Sequence, residues 1–368
     1  MAAIQIPDSI KPADGRFGSG PSKIRTEALD ALAATGSTFL GTSHRQARVR
    51  DQVARLRNGL SEFFPLPDGY EIVLGIGGAT AFWDVAVFGL ISDRAQFATF
   101  GEFGAKFAES AAAAPFLGRP TMHSAPAGGA AFLSAEDGID TYATPHNETS
   151  TGVAVPIERV GDGLMLVDGT SGAGGLDIDL TSTDVYYFAP QKAFASDGGL
   201  WIAAMSPAAI DRATAIKASG RYIPPFLDLV TAIDNARLEQ TYNTPALATV
   251  FLMAEQVDWM NARGGLAWAT QRTADSAAIL YGWAEKSEVV TPFVAEPRLR
   301  SHVVGTIDFR DDVSADSVAA TLRANGIVDV ESYRRLKRNQ LRIAMYPAID
   351  PADLEALTTC IDYVVERL

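Results

Sequence analysis

The residues from Tyr186 to Phe194 read YYFAPQKAF, an apolar strand stopped by Pro190 and followed at once by Lys192. Burial among aromatic and small side chains disfavours the ammonium form of a lysine, and the neutral amine it favours is the state that attacks an aldehyde. Three other segments place polar chemistry just after a run of strand character. Asp168 closes LMLVD and leads into GTSGAGG. The loop GIGGAT ends in Ala79 and Thr80, whose amides would open a helix and favour a phosphate, with Gly77 and Gly78 letting the backbone approach it. In PHNETSTG, the groups Asn147, Thr149, Ser150 and Thr151 can all form hydrogen bonds. Taken singly, a solvated lysine, a turn-forming acid, a glycine turn and a polar turn explain these features. Together they supply what pyridoxal 5'-phosphate (PLP) needs: a lysine for a Schiff base, an acid facing the pyridine nitrogen, and a phosphate cradle.

The elements that must position these groups alternate in type. Val49, Val53, Leu56, Leu60 and Phe63 recur at helical spacing, with Arg50, Arg55 and Arg57 mostly off that stripe. Strands are expected at 71–75, 96–100, 139–143, 164–168, 185–189 and 200–205, with helices between them, which predicts an α/β layer structure with a mostly parallel sheet. In such sheets ligands collect beyond the carboxyl ends of the strands, where Lys192, Asp168 and the glycine loop all fall. From about residue 264 the pattern changes to helix, strand 302–309, helix 314–325 closed by Gly326, strands 327–330 and 340–346, and a last helix. That helix has Asp350 as cap, Pro351 in its first turn, and Leu354, Leu357, Ile361, Val364 and Leu368 as its buried face. The expected division is a large domain over 16–263 and a smaller α+β domain over 264–368, to which residues 1–15 return.

Composition limits the partners. With 44 acidic and 31 basic residues the net charge is -13, which argues against nucleic acid or an anionic membrane as a partner. The single cysteine, Cys360, rules out an internal disulfide framework and a cysteine-ligated zinc, and fits the reducing cytoplasm. The opening residues show no basic stretch leading into an apolar one, and no membrane-spanning segment is expected. His123, His146 and His302 have no ligand spacing, so no metal site is expected. An acidic protein that binds an anionic substrate must gather arginines locally. SHRQARVR offers His44 and Arg45, and YRRLKRNQLR offers Arg334, Arg335, Lys337, Arg338 and Arg342.

Seven segments, in order along nearly the whole chain, carry a resemblance: GRFGSGPSK, GTSHRQ, GGATAFWD, NETSTGVAV, APQKAFASDGGLW, QTYNTPA and YRRLKRNQLRIAMYPA. Together they resemble the phosphoserine aminotransferases in their actinobacterial form, members of the class V aminotransferases of PLP fold type I. The resemblance implies that Lys192 carries the Schiff base and Asp168 pairs with the pyridinium. Ala79, Thr80 and Gln191 would lie near the cofactor phosphate, with Thr149 beside the ring hydroxyl. Phe103 stands where many relatives have a tryptophan stacked on the ring. Asn243 and Thr244 would reach the phosphate of a neighbouring subunit's cofactor, which implies a homodimer with shared sites. Arg342 would bind the substrate α-carboxylate, and His44, Arg45 and Arg335 the phosphate or the glutamate side chain. RRLKR does not align residue for residue with the His-Arg pair common in other branches. The implied reaction is ping-pong transfer of the amino group of L-glutamate to 3-phosphohydroxypyruvate in serine biosynthesis, with a vitamin B6 precursor as a further substrate in some bacteria. At this stage two alternatives stay open. One is an alanine- or serine-glyoxylate aminotransferase, which shares the Gln-Lys pair and the Ser-His-Arg stretch. The other is a non-catalytic phosphate- or nucleotide-binding protein that uses GIGGAT alone. A cysteine desulfurase is set aside because the only thiol, Cys360, falls on the last helix.

Overall fold

The computed structural model describes residues 4–368. Its strands are β1 (Glu71–Ile76), β2 (Ala95–Thr99), β3 (Thr121–Ser124), β4 (Thr141–Pro145), β5 (Asn147–Glu148), β6 (Val153–Ala154), β7 (Leu164–Asp168), β8 (Val185–Phe188), β9 (Leu200–Met205), β10 (Val290–Pro292), β11 (Val304–Phe309) and β12 (Gln340–Ala344). Seven form one sheet in the order β1-β9-β8-β7-β4-β2-β3. All neighbours in it are parallel except those of β9, which runs against both β1 and β8. Strands β2, β4, β7, β8 and β9 are buried along their whole length, as their mostly apolar residues require when helices cover both faces. The parallel strands β7 and β8 pair Asp168 with Tyr187, so the acid and the approach to Lys192 leave the sheet at the same edge.

Two large apolar cores, with two smaller clusters beside them, build the molecule. The larger surrounds the seven-stranded sheet and includes Leu56, Leu60 and Phe63 of helix Ala47–Phe63, whose five expected stripe residues are all buried. The second joins Ile6 and Phe17 to Leu280, Ile307, Leu322, Ile343, Leu354 and Ile361, around the three-stranded sheet β10-β11-β12. At about 1.5–3 kcal/mol per fully buried Leu, Ile or Phe, each core repays the ordering of its elements. The N-terminal segment crosses into this second unit. Ile6 N–H donates to Asn325 Oδ1 at 2.9 Å, Phe17 N–H to Val328 O at 3.2 Å, and Ala344 N–H to Phe17 O at 3.0 Å.

Several expectations need correction. Residues 327–330 form no strand. Val328 and Glu331 make only isolated bridges, to Arg16 and Leu341, because Asp329 takes a left-handed φ of 65° that interrupts extension. The last helix, Pro351–Val365, is capped by Asp350 accepting from Ala352 N–H at 3.0 Å and buries Leu354, Leu357, Ile361 and Val364. Leu368 lies past its end and is 54% exposed, so it is not part of the buried face. Edge strand β3, TMHS, was not expected. Its inward residues are only half-buried, which leaves too weak an alternation to read from sequence. No helix among the described residues is long and apolar enough to cross a membrane.

Candidate active site

Lys192 follows β8 by four residues, and Pro190 keeps the strand from continuing. Its side chain is buried, at 6% exposure for the residue, and its Nζ donates to Thr149 Oγ1 at 2.6 Å. The ammonium also stands 5.3 Å from the Phe103 ring centroid. Burial first, and the Arg342 guanidinium second, lower the amine from 10.5 to about 8. Space for the side chain comes from Gly20, where an added Cβ would stand 3.0 Å from Lys192 Cε. The loop is held from below: Ser22 Oγ donates to Lys192 O at 2.6 Å, and Ser22 N–H to Gln191 O at 2.8 Å.

Asp168 ends β7. Its carboxylate accepts from Thr170 N–H at 2.8 Å and from Trp83 Nε1–H at 3.4 Å. Burial pushes its carboxyl above the ordinary value, against the pull of those donors and of Lys192. Thr149 Oγ1, besides accepting from Lys192, donates to Ser171 Oγ at 2.8 Å, which donates to Asn147 O at 3.0 Å. The lysine amine therefore sits at the head of a buried, directed chain of hydrogen bonds.

Lys192 and Asp168 open into the same cavity, of about 470 Å³. Ala79 and Thr80 line it from the first turn of helix Ala79–Gly89, where backbone N–H groups have no partner within the helix. Phe103, Thr149, Gln191 and Arg342 complete the set of expected residues in its wall. Arg342 reaches in from β12, donates through Nη1 to Thr149 O at 3.4 Å, and lies 5.2 Å from the Tyr333 ring centroid.

Five expected residues stand elsewhere. Arg335 is exposed, pairs with Glu102, and lines an adjoining cavity that shares Tyr333 with the first. His44, Arg45, Asn243 and Thr244 cluster apart from the cavity on the surface of the chain. There His44 Nδ1 and Thr244 Oγ1 are 3.1 Å apart, and Arg45 Nη1 donates to Gln240 Oε1 at 3.2 Å. The structure also adds residues to the wall: Trp83, Ser19, Thr170, Ser171 and Tyr333. Trp83 falls four residues after Ala79, one helical turn into the element the glycine loop opens. Thr170 and Ser171 follow Asp168 after a single glycine, Gly169. Those were legible signals, whereas Ser19 and Tyr333 reach the cavity only through tertiary packing.

The cavity wall also asks for a polar ligand. Ser19 Oγ, Asn147 Oδ1, Thr170 Oγ1, Gln191 Oε1 and Arg342 Nε are buried without a hydrogen-bond partner among the described residues. A buried unpaired polar atom costs about 1–3 kcal/mol, so a cluster of them around one opening is kept for something that binds there. Acceptors and donors, a carboxylate, a lysine with its amine lowered to about 8 and an arginine together suit an aldehyde with a ring nitrogen, a phosphate and an acidic substrate.

Residues 135–355 match the aminotransferase class-V family. The chain is 63% identical over 371 residues to a phosphoserine aminotransferase of a Nocardioides species, with 100% of this chain and 99% of the relative covered. Among solved structures, a phosphoserine aminotransferase from Cytophaga hutchinsonii superposes with a TM-score of 0.86 at 23% identity, over 95% of this chain and 99% of that one. A PLP-bound phosphoserine aminotransferase from Trichomonas vaginalis gives a TM-score of 0.78 at 16% identity, over 95% and 99%. These structures share the PLP fold type I architecture, with its large, mostly parallel sheet and smaller α/β unit. The chain belongs to the class-V aminotransferases, within the group of the phosphoserine aminotransferases.

Proposed function

We propose that the cavity binds PLP and that the enzyme transfers the amino group of L-glutamate to 3-phosphohydroxypyruvate, giving O-phospho-L-serine and 2-oxoglutarate. The observation that carries this is the meeting of Lys192 and Asp168 in one cavity, with the lysine amine lowered to about 8. When bound, PLP supplies an aldehyde for the lysine and an electron sink for charge developing at the substrate's α-carbon.

The chain's own residues divide the remaining work. At neutral pH a fraction of Lys192 is neutral and nucleophilic, and its short bond to Thr149 aims the amine. The same amine, when free, can take a proton from the donor's α-carbon as base and, in the second half-reaction, deliver one to the acceptor's α-carbon as acid. Burial pushes the Asp168 carboxyl up, so a protonated ring nitrogen placed against it would favour its ionised form. The amides at Ala79 and Thr80, with Gln191, suit a phosphate. Arg342 offers its partnerless Nε to the substrate carboxylate.

The surface cluster of His44, Arg45, Asn243 and Thr244 lies beside exposed Leu238 and Tyr242. Apolar residues next to polar ones that stand outside the cavity bearing Lys192 support a homodimer in which this cluster completes the partner's site. Arg335 serves the substrate phosphate or side chain once it leaves Glu102. Division into a domain over 16–263 and one over 264–368 joined by residues 1–15, of which 1–3 lie outside the described residues, is supported by the two larger apolar cores. The lone, buried Cys360 supports a cytoplasmic location.

The test is a spectrum followed by an acceptor screen. Cofactor-free protein should gain a band near ~400 nm on addition of PLP and then aminate phosphohydroxypyruvate in preference to glyoxylate. A protein that stays colourless, or that prefers glyoxylate, overturns the proposal.

A further inference from the structure

Glu148 takes no part in the chemistry above, yet its exposure is 0%. It sits on β5 between Asn147 and Thr149, both of which face the cavity. Its Oε2 accepts from Phe103 N–H at 3.0 Å and Gly104 N–H at 3.2 Å. Its Oε1 accepts from Ser150 Oγ–H at 2.7 Å and Ser150 N–H at 3.3 Å. Ser150 Oγ in turn accepts from Glu102 N–H at 3.1 Å. The three N–H groups that open helix Glu102–Ala113 therefore all end on a hairpin some 45 residues away in sequence, as the separation of Phe103 and Glu148 shows.

This helix cannot cap itself. Its N-cap residue is Gly101, where an added Cβ would stand 2.1 Å from Glu148 Cγ and 2.6 Å from Ser150 Oγ. The glycine makes room for a carboxylate that arrives from outside and meets the positive end of the helix. Burial of that carboxylate is tolerated because its oxygens are satisfied by four donors.

Resting on the PLP reading of the cavity, we propose that Glu148 is a positioning residue that fastens the Phe103 ring to the strand end bearing Thr149. Phe103 is held through its own backbone N–H, and its ring is the aromatic face beside the lysine amine, 5.3 Å from Nζ. Thr149, the next residue after Glu148, accepts the lysine's bond at 2.6 Å. One carboxylate thus fixes the spacing between the ring and the hydroxyl that flank Lys192 from two separate elements. It also sets the turn carrying Glu102, the residue that holds Arg335.

The test uses full-length protein with PLP removed and restored. Three measurements are compared across variants: equilibrium PLP binding, visible circular dichroism of bound PLP, and kcat and KM. In Glu148→Gln the size is kept but one accepting oxygen becomes a donor, so one set of bonds is lost. The expected result is PLP affinity and kcat each down about tenfold, a weaker dichroic band, and KM for both substrates within about twofold. Ser150→Ala leaves the carboxylate but removes the bond to Glu102, and its effects should be about threefold in the same direction. Leu354→Ala, in the second core, is the control. It should lower thermal stability while PLP affinity and kcat stay as in the parent at temperatures where it is folded.

Parent-like PLP affinity, dichroism and kcat in Glu148→Gln overturn the inference, as does an equal loss of PLP affinity in Leu354→Ala. If Glu148→Gln does not fold, Ser150→Ala decides, and parent-like binding and dichroism there overturn it. A parent protein that takes up no PLP instead removes the reading on which the inference stands, so the two failures are distinguishable.

Discussion

Thr149 is gripped from both sides of the cavity. Its Oγ1 accepts from Lys192 Nζ at 2.6 Å, while its carbonyl accepts from Arg342 Nη1 at 3.4 Å. The amine and the guanidinium thus meet on one residue, although one comes from the loop after β8 and the other from β12, in different sheets.

Thr149→Val keeps the shape of the side chain and removes the acceptor. The Lys192 amine loses the bond that aims it, and Ser171 loses a donor. We expect kcat to fall about 10- to 100-fold, with thermal stability changed little, because a misaimed proton-transfer group costs on that scale. Single-turnover kinetics with glutamate would check this, and an unchanged rate would show that Thr149 does not orient the amine.

Asp168→Asn removes the charge but keeps the bonds from Thr170 and Trp83 within reach. Since Asp168 raises the Lys192 amine, its loss should lower that amine further below about 8. Transamination should fall about a hundredfold or more, as for loss of one buried electrostatic partner of the reacting group. Measuring the half-reaction with glutamate, and titrating the amine by pH-dependent modification of the cofactor-free protein, tests both parts.

The lowered amine has a stability consequence in the cofactor-free protein. Lys192 goes from 10.5 in the unfolded chain to about 8 in the folded one, so the unfolded chain binds more protons between those values. Stability therefore rises with pH across that window, and the penalty for burying the ammonium is complete below pH 8. The total gain is about 3 kcal/mol by linkage. Urea unfolding of the parent and Lys192→Met at pH 8 and pH 10 should show the gain in the parent only. A parallel pH dependence in both would place its source elsewhere.

Arg342→Ala should raise KM for both glutamate and phosphohydroxypyruvate by about 100-fold, since a charge-assisted pair to the substrate carboxylate is lost in each half-reaction. Folding should suffer little. Among the described residues the Nε of Arg342 has no partner, and its guanidinium bonds through Nη1 in a long contact to Thr149. Steady-state kinetics alongside thermal melts separates the two effects; a KM change for only one substrate would assign Arg342 to that substrate alone.

Much of the molecule was written locally. The period of Val49 to Phe63, the capped helix from Pro351, and the unbroken apolar runs that became β7, β8 and β9 are properties of neighbouring residues, so a linear reading finds them. Lys192, Asp168 and the glycine loop were legible for a related reason. A charge directly after a buried strand, and small residues directly before a helix, are local anomalies that the topology of α/β sheets sends to one edge. What neighbours in sequence could not decide is which distant groups would meet. Asp329 broke a predicted strand by adopting a left-handed φ, Glu148 capped a helix from another strand, and Arg342 reached Thr149 while Arg335, seven residues earlier, went to Glu102. Those outcomes depend on the relative placement of two separate cores, and only the folded chain fixes that placement, because packing and hydrogen-bond satisfaction are decided between elements and not along them.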